Sequence, residues 1–221
     1  MQFEIPAPST TFEIPLEDGA RIRMRRHGNP DGVRLLVTHG NGFAADAYFP
    51  YWRHLLSKFD VLVFDFRNHG QNAPVVPSNH NYAQLTRDLE RVVQEVKAKL
   101  GPNKTAGIFH SMSARTAMKH AVEVGWRWDA LMLFDPPDVP LKGHPLYESM
   151  EIFENKLTEW AKGRRRRFAS IDELTEEYKQ SRATRGWVAG APLVLGSQPT
   201  SFTGPPNSDA FGQRSRTSAW A

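Results

Sequence analysis

Ser111 is the residue around which chemistry can be built. The apolar run that opens at Thr105 stops at His110, and a helical pattern of small residues, Ala114, Ala117 and Ala121, begins at once beyond it. The spacing predicts a strand, a sharp turn carrying Ser111, and a helix. A serine so placed stands clear of the sheet edge at a helix N-terminus, where free backbone N–H groups and the helix dipole favour developing negative charge. Those are the requirements of a nucleophile. Crowding at such a turn favours glycine two residues before and two after the serine. Phe109 and Ser113 occupy those positions here.

Two other loops also close predicted strands. His39, Gly40, Asn41, Gly42 and Phe43 follow the apolar run 33–38; Asp65, Phe66, Arg67, Asn68, His69 and Gly70 follow 61–64. In an open α/β sheet, ligands gather beyond the carboxyl ends of the strands. The glycines of the first loop allow close backbone approach, and the Asn41 N–H is free to donate to an oxyanion. A turn that merely needs glycine fits the same residues.

The His-Gly-x-Gly loop, the Asp-x-Arg-x-His-Gly loop and the His-Ser-Met turn, in this order, resemble the α/β-hydrolase superfamily. The resemblance implies a serine hydrolase for esters or similar acyl substrates: Ser111 attacks, and the Asn41 and Met112 N–H groups hold the oxyanion. It places Gly40, Gly42, Phe43 and His110 around the substrate and makes Asp65, Arg67 and His69 structural. Asp135, after the strand 131–134, is the surviving candidate for the acid of the triad; an aspartate that bonds local backbone ahead of Pro136 and Pro137 is the alternative. Relatives with an aspartate at the elbow, the dehalogenases and epoxide hydrolases, are excluded because the elbow holds serine.

These residues need a scaffold. Alternating residues on either side of Asp18 and Gly19 predict a hairpin at an antiparallel edge of the sheet. A helix is expected over 45–58, with Tyr48, Trp52, Leu55 and Leu56 on one side. Another is expected over 81–100, where Leu85, Leu89, Val92 and Val96 recur at helical spacing before Gly101 and Pro102. From Leu141 to Gly186 the sequence turns charged and helical, with a capping box at Ser170 and Glu173. This resembles a helical cap, in which Trp160, Phe168, Tyr178 and Trp187 either face substrate or pack. The expectation is an α/β fold: a mostly parallel α/β-hydrolase sheet with flanking helices and a helical cap, lacking the last strands. Residues 1–140 form the core, 141–187 the cap and 188–221 a low-complexity tail.

That tail is the discordant part. Gly, Pro, Ser and Thr supply 16 of the 35 residues from Trp187 to Ala221, a composition that buries little apolar surface. The eight histidines stand at 27, 39, 54, 69, 80, 110, 120 and 144, so none follows the cap, where the resemblance implies the general base. A shift of reading frame near 188–191 accounts for both features; a native disordered tail is the rival. The function expected is therefore a serine hydrolase impaired by loss of its histidine, or else a catalytically inactive fragment or non-enzymatic binding protein of the same fold. Missing strands would also leave an apolar sheet edge exposed.

Composition narrows the remaining classes. With no cysteine among 221 residues, disulfide scaffolds and thiolate sites are excluded. The net charge of +4 owes much to Arg164–Arg167, read as a solvated helix face rather than a nucleic-acid site, since no aromatic residues interleave it. The histidines have no ligand spacing and the glycine loop lacks a phosphate-loop ending, so no metal or cofactor is expected. With neither signal peptide nor membrane span in the sequence, a cytoplasmic protein with a small-molecule acyl substrate is expected.

Overall fold

The computed structural model describes residues 4–73, 80–163 and 169–180. The tail 188–221, the proposed frame change, the cluster Arg164–Arg167, Phe168 and Trp187 all lie outside those residues.

Strands β1 (Thr10–Pro15), β2 (Arg21–Gly28), β3 (Arg34–Val37), β4 (Asp60–Phe64), β5 (Thr105–His110) and β6 (Ala130–Phe134) form one sheet of order β1-β2-β4-β3-β5-β6. The β1–β2 hairpin is antiparallel and joins β4 antiparallel; β4, β3, β5 and β6 run parallel. This is the mostly parallel sheet and the antiparallel edge that the sequence implied. β3 and β4 are wholly buried because helices cover both faces.

Side chains of period two divide between two cores. Leu36, Leu62, Phe64 and Phe109 meet α2 (Tyr82–Leu100) and α3 (Met112–Glu123) on one face. Leu35, Val37, Val61, Val63 and Ile108 meet Phe49 and Trp52 on the other. α2 buries Leu85, Leu89, Val92 and Val96, each contributing about 1.5–3 kcal/mol of apolar transfer. Asn81 caps it by accepting from the Gln84 N–H at 2.9 Å, and Gly101 leaves it at φ 75°.

The single helix expected over 45–58 is instead three short pieces: a 3₁₀ turn at Ala45–Tyr48, α1 (Phe49–Trp52) and a second 3₁₀ turn at Arg53–Leu55. Pro50 fits only the first turn of a helix, because it has no N–H to continue one. The Ala45 carbonyl accepts from the Trp52 indole N–H at 3.1 Å, which seats Trp52 in the core.

Two helices follow β6, α4 (Tyr147–Lys162) and α5 (Ile171–Gln180). Ser170 caps α5, its Oγ accepting from the Glu173 N–H at 3.1 Å, while the Glu173 carboxylate reaches one residue beyond the usual box and accepts from the Ala169 N–H at 2.6 Å. Among the described residues β6 pairs only with β5, and its Met132 and Phe134 are 49% and 43% exposed. Among the described residues, then, no strand continues the sheet beyond β6.

Buried charge ties the antiparallel edge to the helices. Both arms of the Arg67 guanidinium are occupied, by Asp88 of α2 and by Asp18 of the hairpin turn at 2.7 Å. Removing Asp88 leaves the buried Arg67 cation with Asp18 alone and one arm unpaired, so Asp88→Ala is expected to cost about 3 kcal/mol in denaturant unfolding. His27 and His80 are buried, and burial first, then Arg25 for His27 and Arg67 for His80, holds each pKa down at about 4. The unfolded chain thus binds more protons than the folded one between pH 6.5 and 4. Stability is expected to fall as pH drops through that window, on the order of 3 kcal/mol per histidine. Unfolding midpoints measured across the range check this, and His27→Leu should flatten the slope.

Candidate active site

β5 ends in a backbone that ordinary residues avoid. Ser111 has φ 51° and ψ −115°, a strained conformation that turns the chain from strand into α3. Its N–H donates to the Phe134 carbonyl of β6 at 2.8 Å, and its carbonyl accepts from the Arg115 N–H at 3.0 Å. Ser113, where glycine was expected, is fully buried, and its hydroxyl lies 2.9 Å from both the N and the O of His110. Phe109 is accommodated by a glycine displaced along the strand: a Cβ on Gly107 would run into the Phe109 ring and come within 2.7 Å of Leu131 Cδ2. The turn thus meets its steric requirement with different residues.

The loop after β3 lies directly against this elbow. A Cβ on Gly40 would stand 2.7 Å from His110 Nδ1 and 3.2 Å from Ser111 Cβ. Residues 40–43 make a tight turn, closed by the Phe43 N–H on the Gly40 carbonyl at 3.2 Å with Gly42 at φ 76°. His39 donates from Nδ1 to the same carbonyl at 2.8 Å, since its Nε2 accepts from the Phe66 N–H at 3.0 Å. In a trans peptide the N–H points opposite to the C=O. Two donors on the Gly40 oxygen therefore hold the Asn41 N–H in one direction. Neither the Asn41 nor the Met112 N–H has a partner among the described residues.

The 65–70 loop supports this turn. Asp65 accepts from the Ala45 N–H at 2.7 Å and the Gln71 N–H at 3.2 Å, and His69 Nε2 accepts from the Gly42 N–H at 3.1 Å. Asn68 takes the left-handed conformation, φ 62°, where asparagine replaces glycine most readily. His39 and His69 spend both ring nitrogens on this scaffold, and burial lowers the His39 pKa.

His110 has a different partner. Its Nδ1 lies 2.7 Å from the Tyr48 hydroxyl, which accepts from the Gly40 N–H at 3.1 Å. Burial lowers the His110 pKa, opposed by the nearby charge of Asp135. Asp135 itself is exposed at φ 47° just beyond β6, close enough to feel His110 but hydrogen-bonded to no histidine among the described residues. All eight histidines are described, and none hydrogen-bonds Ser111 Oγ, which has no partner among the described residues. The elbow, the glycine loop and Asp135 thus converge; no histidine joins them by a hydrogen bond to Ser111 among the described residues. No group of three His, Cys, Asp or Glu among the described residues can hold a metal.

Several contacts around the site have no sequence signal. Arg115, one turn along α3 from Ser111, lies over the Tyr82 ring at 4.8 Å from its centroid and 4.0 Å from Asp138. Burial pushes the Tyr82 pKa up to about 12. Glu154 of α4 joins this cluster; burial raises its pKa, and Arg115 opposes the rise. Tyr178 of α5 donates to the Gly42 carbonyl at 3.0 Å and packs with Leu174 against Phe43, Ala44 and Ala47. A single side chain reaching back 136 residues is invisible to local pattern.

The model of one family, described as the alpha/beta hydrolase family, matches residues 35–220. The chain belongs to the alpha/beta hydrolase family. Solved structures agree in fold. An alpha/beta hydrolase from Novosphingobium aromaticivorans superposes with a TM-score of 0.64 at 19% identity, over 86% of this chain and 63% of its own. The thioesterase domain from the curacin biosynthetic pathway gives 0.61 at 19%, over 88% and 71%. An esterase from Exiguobacterium antarcticum gives 0.53 at 18%, over 79% and 58%. The chain thus spans less than two thirds of the Novosphingobium and Exiguobacterium proteins. No curated protein matches by sequence. Among the described residues no helix is long and apolar enough to cross a membrane.

Gly40→Ala tests the close approach of loop and elbow. The added methyl must push His110 or the Asn41 peptide aside, and reactivity at Ser111 toward an acyl-serine probe is expected to fall about 100-fold with cooperative unfolding retained. Probe-labelling rates alongside thermal melts provide the measurement.

Proposed function

We propose that this chain is an α/β-fold serine hydrolase for a small ester or similar acyl substrate, with Ser111 as nucleophile and the Asn41 and Met112 N–H groups as oxyanion donors. The observation that carries the reading is the strained turn at Ser111 set against a glycine loop whose Asn41 N–H is directed and unspent. Such donors act where charge develops as Ser111 Oγ adds to an acyl carbon and the carbonyl oxygen becomes anionic. Collapse of that adduct expels the alcohol or thiol and leaves an acyl-serine, which water hydrolyses. Gly40, Gly42, Phe43 and His110 border the acyl group, and α4 and α5 form the cap over it. Esterase and thioesterase domains among the solved structures of this fold agree with an acyl substrate.

Within these 221 residues the Oγ proton has no histidine to receive it. It passes to solvent, and Asp135 acts only through its field on His110. Turnover is then roughly 10⁴- to 10⁶-fold below that of a relative with its base. The same free Ser111 hydroxyl favours a second reading, a binding protein that retains the loop and cap without turnover.

A fluorophosphonate probe separates the two. Slow stoichiometric labelling, abolished in Ser111→Ala, is the expected result, read by intact-protein mass. A wild-type chain that stays unlabelled over many hours would overturn the hydrolase reading and leave the inactive-fragment or binding-protein one.

A further inference from the structure

Tyr178 stands at the head of a chain of peptide groups that ends at the oxyanion loop. Its hydroxyl donates to the Gly42 carbonyl at 3.0 Å. That carbonyl belongs to the same peptide as the Phe43 N–H, which donates to the Gly40 carbonyl at 3.2 Å. The Gly40 carbonyl in turn shares its peptide with the Asn41 N–H. Each trans peptide passes the alignment on, because its N–H and C=O bonds point opposite ways in one rigid plane and their dipoles add. A bond accepted at C=O also makes the N–H of that unit a stronger donor, so serial hydrogen bonds reinforce one another in a dry interior.

The surroundings give the first bond its strength. Tyr178 is 7% exposed and Leu174 2%, and the Tyr178 ring meets Phe43 with centroids 6.2 Å apart. α5 docks on the loop through this cluster.

We infer that Tyr178 is a positioning residue, whose hydroxyl sets the direction and donor strength of the Asn41 N–H through the Gly42–Phe43 and Gly40–Asn41 peptides. The role rests on the serine-hydrolase reading and deepens it. The helix that packs over the loop also tunes it, so docking of α5 and competence of the oxyanion loop are one event.

Tyr178→Phe removes the hydroxyl and keeps the ring on Phe43. Thr175→Val is the control, since Thr175 Oγ1 is a buried hydroxyl of the same helix with no partner among the described residues. Two readouts are compared in the full chain. In ¹⁵N–¹H spectra, Tyr178→Phe should move the Phe43 and Asn41 amide protons upfield, and Thr175→Val should leave both in place. With the fluorophosphonate probe, Tyr178→Phe should slow labelling of Ser111 about tenfold, roughly the worth of one good hydrogen bond, with saturation by probe little changed. Amide shifts that stay put in Tyr178→Phe would overturn the relay. Moved shifts with an unchanged labelling rate would overturn its bearing on reactivity. If wild-type protein does not label at all, the hydrolase reading fails, and the amide shifts still decide the relay.

Discussion

The Gly40 carbonyl is the fixed point of the site. It receives the Phe43 N–H from its own turn and the Nδ1–H of His39, whose other nitrogen is tied to the Phe66 backbone of the next loop. Since the peptide plane is rigid, anchoring that oxygen aims the Asn41 N–H. The turn sits against Ser111 only because Gly40 lacks a side chain. Much else in the parallel half of the sheet serves this contact: Asp65 and His69 hold the turn from one side, Tyr48 from another, and Tyr178 closes it from above.

The elbow departs from the glycine pattern of its family yet keeps the geometry, and the reason is local. What the turn requires is room and a satisfied backbone. Gly107 gives the room that Phe109 takes, and the Ser113 hydroxyl lies within bonding distance of both backbone groups of His110. Pattern matching weighs positions one at a time; packing balances them against one another. The broken helix at 45–58 carries the same lesson, since its apolar spacing suggested one helix while Pro50 and the Trp52 indole selected three short turns.

Histidine placement separates scaffold from chemistry. His39 and His69 are consumed as neutral cross-links between loops, and His110 is bonded to Tyr48. Their proximity to Ser111 in topology does not make them bases, because a base needs a nitrogen lone pair aimed at the serine proton. Preserved loops around a Ser111 hydroxyl that has no hydrogen-bond partner among the described residues are the character of this site.

The strands, the hairpin, helix α2 with its Gly101 end, the Ser170 start of α5 and the three loops were legible in sequence, because each depends on neighbours a few residues away. Asn68 in the left-handed region and the structural roles of Asp65, Arg67 and His69 followed from the same local reading and from family likeness. Only the tertiary structure could bring Tyr48 to His110, Arg67 to Asp88 and Asp18, Glu154 toward Arg115, and Tyr178 to Gly42. These contacts join residues up to 136 positions apart through single polar atoms. Periodicity records which face of an element is apolar; which hydroxyl meets which carbonyl is decided when two elements dock.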